Sequence, residues 1–417
     1  MMRGGKLKMF LIKLAFKNLL RHKKRTIITA AVISLAIFFY LFSNSLLMGM
    51  NEMAYRNVID FESGHLQVVK SAYWQEREEM SLDNLFSLDK QLISKIENSE
   101  GFTEMTGQLI FGARLNNGID ELPVMVKGIN PYSATNLFKL EEHFVAGSMF
   151  EPDEYKVVMG EKLANLMELN YGDYVTFLIR TKEDTFNTIE AEIGGLLNTP
   201  NPNVNQNVVY VPLDIAQQAL NVNNQISHLI VNLNNKNKAE GVAENLSGEI
   251  GTSFKTIPWN NLAEVKLTKA KQGGNQALMG IILLMAALGI INTVILSALE
   301  RMKEIGMMKA LGLQEKEIIF TFVLEATGIG IIGGLAGCFI GAIAISLQIK
   351  YGIDFTALVD MDMSTFGVPI LGKIYGVWDW PAFIFVFFFS VIVSFVSSIF
   401  PSYWAARKDP VKAIYHR

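Results

Sequence analysis

Residues 278–317 read LMGIILLMAALGIINTVILSALERMKEIGMMKALGLQEKE, and the change of character at Glu300 decides how the chain is built. From Leu278 to Leu299 no side chain is charged, and the run is long enough for a helix to cross a hydrocarbon core of about 30 Å. From Glu300 to Glu317 charges return at short intervals, so the chain is back at a water-facing surface. Three other stretches share that length and apolarity: Thr26 to Met50, Ile318 to Ile349 and Pro381 to Phe400. Four transmembrane helices are predicted. The third is longer than one crossing needs, which predicts a tilt or a projection beyond one face. The basic run Arg21, His22, Lys23, Lys24, Arg25 could open a signal peptide. The apolar stretch after it is too long and lacks a small-residue cleavage pattern, so it predicts a retained anchor.

Orientation follows from basic residues at the span ends, which stay on the cytoplasmic side. Residues 1–25 carry nine Lys or Arg and no Asp or Glu, the 300–317 loop carries four basic residues, and the 401–417 tail carries four. The 350–380 loop instead holds Asp354, Asp360, Asp362 and Asp379 against Lys350 and Lys373. The expected plan is a cytoplasmic amphipathic helix over 1–25, spans over 26–50, 278–299, 318–349 and 381–400, and a large external domain over 51–277. A cytoplasmic loop over 300–317, an external loop over 350–380 and a cytoplasmic tail over 401–417 complete it. Both termini are then inside.

Composition agrees with a membrane protein: 50% of residues are hydrophobic and 18% charged, against about 25% charged in a soluble domain. A net charge of −3 argues against nucleic acid as a partner. Cys338 is the single cysteine, which excludes a disulfide scaffold or a multi-thiolate metal site. His22, His65, His143, His228 and His416 show no metal-ligand spacing, and no convergent nucleophile and base are visible, so no enzyme activity and no cofactor on this chain are expected. Gly5-Lys6 and Gly372-Lys373 lack the upstream glycine and following hydroxyl of a phosphate loop, and Leu246 to Glu249, which begins like an ATPase signature, falls in the external segment. Glu325 is the clear charge inside a span. An interhelical hydrogen bond explains it better than a proton relay does.

The external segment 51–277 has 30 acidic and 18 basic residues, a net of −12, and length for one or two cores. Short β-type runs (His65 to Val69, Pro123 to Ile129, Tyr174 to Arg180, Asn207 to Val211, His228 to Leu233) alternate with amphipathic helices (Asp89 to Asn98, Glu161 to Glu168, Leu213 to Leu220), which predicts an α+β domain. Asn51 to Ser63 and Asn260 to Gln272 are polar enough to be helical stems continuing the spans. The Pro- and Asn-rich run Asn198 to Asn203 reads as a loop.

Three features carry functional information. Gly330, Gly333, Gly334, Gly337 and Gly341 give the third span small-residue spacing that suits close helix packing, within the chain or between two copies. Over residues 6–24, Lys6, Lys13, Lys17, Arg21 and Lys24 share one strip while Leu7, Leu11, Leu14, Phe16, Leu19 and Leu20 lie away from it, as in a helix resting on anionic membrane lipid. Glu300 to Gly312 forms a short helix ended by Gly312, with Met302, Ile305, Met308 and Leu311 as an apolar ridge rimmed by Arg301, Glu304 and Lys309. That ridge suits docking into a groove of a soluble partner, or packing against the interfacial helix.

Glu300 to Gly312 resembles the E-R-x-x-E-I-G-x-x-K-A-L-G stretch of the FtsX-like permeases, the ABC transporter family that includes macrolide-export (MacB-type) and lipoprotein-release permeases. Phe16 to Thr29 is similar to the family's basic entry to the first span, and Pro401 to Ile414, with Ala405, Ala406, Arg407, Asp409, Pro410 and Ala413, to its closing motif. Val126 to Ile129 and Gly160 to Val175, including Gly160, Leu163, Ala164, Gly172 and Asp173, resemble the family's periplasmic core domain. The resemblance implies a multi-pass inner-membrane permease subunit with a MacB-like periplasmic domain, working by mechanotransmission. A second copy or a related permease would share a dimer of separate ATPase subunits that hold the ATP and Mg, since the chain ends at Arg417 without such a domain. Arg301, Met302, Glu304, Ile305, Gly306, Met308, Lys309, Leu311 and Gly312 would be its ATPase-coupling residues. Gly64 to Val68 looks like an element found near the lipoprotein-release branch, which implies delivery of a lipoprotein substrate to a periplasmic carrier. Peptide or drug export through a periplasmic adaptor, or signalling to cell-wall hydrolases, are the alternatives the family allows.

Overall fold

The computed structural model describes residues 2–21, 23–354 and 373–407. Asp409, Pro410 and Ala413 of the closing motif, His22 and His416, and Asp360 and Asp362 lie outside them. Contacts divide the chain into a helical unit, drawn from residues 1–50, 271–353 and 373–417, and a sheet unit built on Asn51–Ala270.

The sheet unit contains β1 (Leu66–Lys70), β2 (Phe102–Asn116), β3 (Glu121–Ile129), β4 (Phe144–Gly147), β5 (Lys156–Gly160), β6 (Tyr174–Arg180), β7 (Phe186–Leu197), β8 (Val208–Pro212), β9 (His228–Leu233) and β10 (Phe254–Pro258). Their order is β10-β1-β9-β2-β3-β8-β5-β7-β4, with β6 bonded to both β2 and β7. That last pairing closes a ring of β2, β3, β8, β5, β7 and β6, in which β3–β8 and β5–β7 are parallel and the rest antiparallel. Ring closure leaves these six strands without a free edge. Residues alternate in and out along each strand, so Phe111, Ala113 and Leu115 meet Val126, Val124, Phe177 and Ile179 inside the ring. β2 is long enough to do two jobs: its first half pairs with β9 and its second half belongs to the ring. A second core lies where β1, β9 and β10 are covered by the helices Lys90–Glu97 and Ala239–Ile250. The ATPase-like Leu246 to Glu249 is part of that second helix, with Leu246 buried.

The Asn198 to Asn203 run is a loop over its first four residues, as read, and is corrected at its end, where Pro202 and Asn203 open the short helix Pro202–Asn207. Asn201 caps it, its Oδ1 accepting from the Asn203 and Val204 amides at 2.9 and 3.3 Å. Pro at the first helical position and Asn at the cap are start signals as well as loop signals, and the composition alone did not separate the two.

The helical unit contains α1 (Met2–Arg21), α2 (Lys23–Val58), α3 (Ala263–Glu300), α4 (Met302–Ala310), α5 (Glu315–Tyr351) and α6 (Trp380–Arg407), the last parts of α2 and the first of α3 belonging to the sheet unit. Four of them, α2, α3, α5 and α6, are long and apolar enough to cross a membrane. The glycines of α5 serve two faces. Gly333, Gly337 and Gly341 lie against Ile33, Ile37 and Leu41 of α2, while Gly330 and Gly334 lie against Ser394 and Ser390 of α6. All five pack within the chain, at spacings of four residues that keep each set on one side of the helix.

α1 departs from the expected pattern. Leu11, Ala15 and Leu19 are buried, Leu19 lying on Gly328 of α5, whereas Phe16 and Leu20 are exposed. The apolar strip is therefore split between a protein-facing line at i, i+4 and i+8 and a second, exposed line.

Candidate coupling site

The 300–317 segment folds as a turn at Arg301, the nine-residue α4, and a capping box that starts α5, in which the Gln314 amide donates to Glu317 Oε2 at 2.9 Å. Gly312, at φ 90°, supplies the left-handed residue that ends α4. Met302 and Ile305 are buried with Ile318 and Phe322 of α5 and Ala405 and Ala406 of α6. The two alanines let α4 come close enough for Lys309 Nζ to donate to the Ala406 carbonyl at 2.8 Å, and the same ammonium reaches Glu315 Oε1 at 3.0 Å.

The expected ridge is thus divided, and its inner half packs on α5 and α6 rather than on α1. Met302, Ile305 and Gly306 are buried, Met308 and Lys309 are half-buried, and Leu311 is 82% exposed. The outward face is formed instead by Lys303, Met307, Ala310, Leu311 and Gly312. Periodicity predicted a single stripe; the helix ends before Leu311, so the last ridge residue leaves the stripe's direction.

Beneath α4 lies a charge knot. Arg301 Nη1 donates to Glu325 Oε2, Arg301 Nε donates to Glu304 Oε2 at 2.7 Å, and Asn18 Nδ2 of α1 donates to Glu325 Oε1 at 2.6 Å. Arg301 and Glu325 are each 3% exposed. The Arg301 guanidinium also stacks over the Phe322 ring at 4.8 Å. Arg25, Arg301, Phe322, Glu325, Ser398 and Ser402 are among the residues lining a cavity of about 20 Å³, room for one water. A carboxylate so buried is tolerable when paired and hydrogen-bonded at both oxygens. Glu325 therefore ties α1, α4 and α5 together, and its bonds are interhelical as its position in the third span suggested.

Of the coupling residues named from sequence, Arg301, Met302, Ile305, Met308 and Lys309 pack or bond to the bundle, Gly306 is buried, Glu304 braces Arg301, and Leu311 and Gly312 face outward. Asn18 carried no signal of its own beyond Glu325, since a lone acid in a span calls for donors within reach. Among the described residues no group of three His, Cys, Asp or Glu side chains could hold a metal.

Residues 277–410 match the FtsX-like permease C-terminal family. The chain is 22% identical over 311 residues to the lipoprotein-releasing system transmembrane protein LolC of Xylella fastidiosa, covering 70% of this chain and 73% of the relative. It is 21% identical over 421 residues to an uncharacterised ABC transporter permease of Methanocaldococcus jannaschii, covering 97% of both. Over 129 residues it is 30% identical to the macrolide export ATP-binding/permease protein MacB of Escherichia coli, covering 31% of this chain and 17% of that one. Residues 277–410, which include α4 and the Arg301–Glu325 pair, match an FtsX-like permease domain, and the chain as a whole is similar in sequence to ABC transporter permeases of the LolC and MacB kinds.

Proposed function

We propose that this chain is the membrane subunit of an ATP-driven machine that works by mechanotransmission: a separate ATPase dimer, holding ATP and Mg, pushes α4, and the helical unit passes that displacement to the sheet unit across an inner membrane. The observation that carries the reading is the division of α4. Its inner face is locked to α5 and α6 by Met302, Ile305 and the Arg301–Glu325 pair, while Lys303, Met307 and Leu311 stay outside. A helix held rigidly on one side and open on the other receives a push without absorbing it. Basic residues at 1–25 and 401–417 support cytoplasmic termini, a reading in which α4 lies on the ATPase side and the acidic segment 51–277 lies outside.

For substrate we infer a lipid-anchored protein taken from the membrane and delivered to a periplasmic carrier, with a second copy or a related permease completing the pair. The likeness to LolC over 70% of the chain supports this class. Export through an adaptor is the second reading, supported by the higher identity to MacB over a shorter stretch. Purification of the native complex tests both. Co-purifying acylated protein supports release, and a stable adaptor supports export. Met307→Asp and Leu311→Asp should abolish permease-dependent ATP hydrolysis while leaving the thermal stability of the chain unchanged; normal coupled activity in both would remove the α4 assignment.

A further inference from the structure

The run Asn198 to Asn207 is unassigned by anything above, and it is packed too deliberately for a connecting loop. Thr199, Asn201 and Asn205 are all nearly inaccessible, at 1, 4 and 0%. Asn205 holds the run together: its Oδ1 accepts from the Thr199 amide at 2.8 Å and its Nδ2 donates to the Thr199 carbonyl at 2.7 Å. The backbone of Asn205 lies directly over Gly160 at the end of β5, where any side chain would collide with it. The short helix then leads without a break into β8, a ring strand paired with both β3 and β5. The run is rooted in the middle of the ring.

Between β7 and β8, its middle holds the end of α2. Asn201 Nδ2 donates to the Asn57 carbonyl at 3.2 Å and to Glu62 Oε1 at 2.6 Å, and Asn57 Nδ2 donates back to the Pro200 carbonyl at 2.9 Å. Asn57 is in the last turn of α2, and Glu62 lies in the π-helical turn Ile59–Ser63 that follows. Asn201 thereby uses both donors on the helix end and its acceptor on its own helix cap. The turn leads through Gly64, at φ 59°, into β1. Further bonds brace the same turn, from Lys139 Nζ to Asp60 Oδ2 at 3.3 Å and between the Phe61 and His143 rings at 5.2 Å.

We infer that Asn201 is a positioning residue for the proposed cycle, clamping the end of α2 to the closed strand ring so that a displacement of the helix moves the ring as one body. The inference rests on the mechanotransmission reading and adds the place where the sheet unit takes up the movement. Buried amide bonds suit that task because each left unpartnered is costly, so the clamp resists sliding where apolar contacts alone would permit it.

The test uses the full chain with its co-purifying ATPase, comparing deuterium uptake over residues 59–70 and 198–212 with and without ATP and vanadate. Three forms are compared: the unaltered chain, Asn201→Ala, and the pair Asn201→Asp with Glu62→Gln. In the pair, the new amide donates to the new carboxylate and restores the bond to position 62 in reverse, while the bond to the Asn57 carbonyl stays lost, so partial recovery is the expected result. The unaltered complex should show a nucleotide-dependent change at both segments. Asn201→Ala should lose that change while α4 still responds and ATP is still hydrolysed, and the pair should regain part of it. Retention of the full response in Asn201→Ala overturns the clamp, and so does a pair that regains none of it, which marks Asn201 as structural only. A nucleotide response at α4 with none in the sheet unit of the unaltered complex also overturns the clamp. Absence of any response at α4 itself overturns the mechanotransmission reading, and the clamp falls with it.

Discussion

α5 and α3 are nearly equal in length, 37 and 38 residues, and both are apolar enough to span a bilayer, yet the fold uses them in opposite ways. In the most apolar stretch of α5, 39% is buried within the chain; in that of α3, 11% is. Gly330, Gly333, Gly334, Gly337 and Gly341 of α5 each abut a neighbouring helix, while Gly273, Gly274, Gly280 and Gly289 of α3 face open space. Hydropathy measures whether a helix tolerates lipid and is blind to which side another helix will cover. The pair shows α5 as a helix enclosed by its neighbours on two sides, and α3 as one that leaves most of its surface uncovered within the chain.

Four measurements would break or sharpen that contrast. The largest effect belongs to the pinned end of α5: Arg301→Ala leaves Glu325 buried without its cation and should lower the stability of the purified chain by about 3–5 kcal/mol. Replacing both members, Arg301→Met with Glu325→Leu, should recover most of it in the same thermal melt. A failure to recover would mean that the pair specifies the fold rather than merely balancing charge.

Next comes the packed face. At Gly337 a side chain would meet Ile37 and the Ser34 carbonyl of α2, so Gly337→Leu should cost about 1–3 kcal/mol in the same assay. An intermediate effect is expected outside the spans, from His228 on β9. Burial, with Lys127 nearby, pushes its imidazole down to about 3. It is neutral when folded, whereas the unfolded side chain takes a proton near pH 6.5. Stability is then full above about pH 6.5 and falls as the pH drops from there toward 3. His228→Asn should flatten that slope in melts at stepped pH, leaving the response of the helical unit unaltered. The smallest effect is the control on the other helix: Gly280→Leu on α3 should change stability of the single chain by under about 0.5 kcal/mol. If it instead dissociates a purified complex, the open face of α3 is a contact with a partner.

Much of this was legible in advance. The four spans follow from runs such as Leu278 to Leu299, since a bilayer demands length and apolarity that nothing else in a chain imitates. Strands such as Tyr174–Arg180 and His228–Leu233 were readable because aromatic and β-branched residues recur there. β2 and β7 were missed for a physical reason. Each crosses from one environment to another, so Glu104, Thr106 and Gln108 on β2, and Glu190 and Glu192 on β7, break the apolar signal although Phe111, Ala113, Ile189 and Ala191 alternate inward. At the candidate site, the short helix and its Gly312 stop were visible as a pattern. Which side of it faced the bundle was not, because Met302 and Met307 look alike until Ala405, Ala406 and Phe322 take one of them in.

The sequence by itself determined the number of spans, the charge asymmetry across them, the glycine spacing of the third span and the presence of an isolated acid within it. These are properties of one segment facing one solvent, and hydrophobicity and helical period suffice to read them. Only the tertiary structure decided that the glycines divide between α2 and α6, that Glu325 belongs to Arg301 and Asn18, and that Asn201 reaches Asn57 and Glu62. Those pairings join residues far apart along the chain, and their free energy depends on shape and on the removal of water, neither of which is encoded in any single segment.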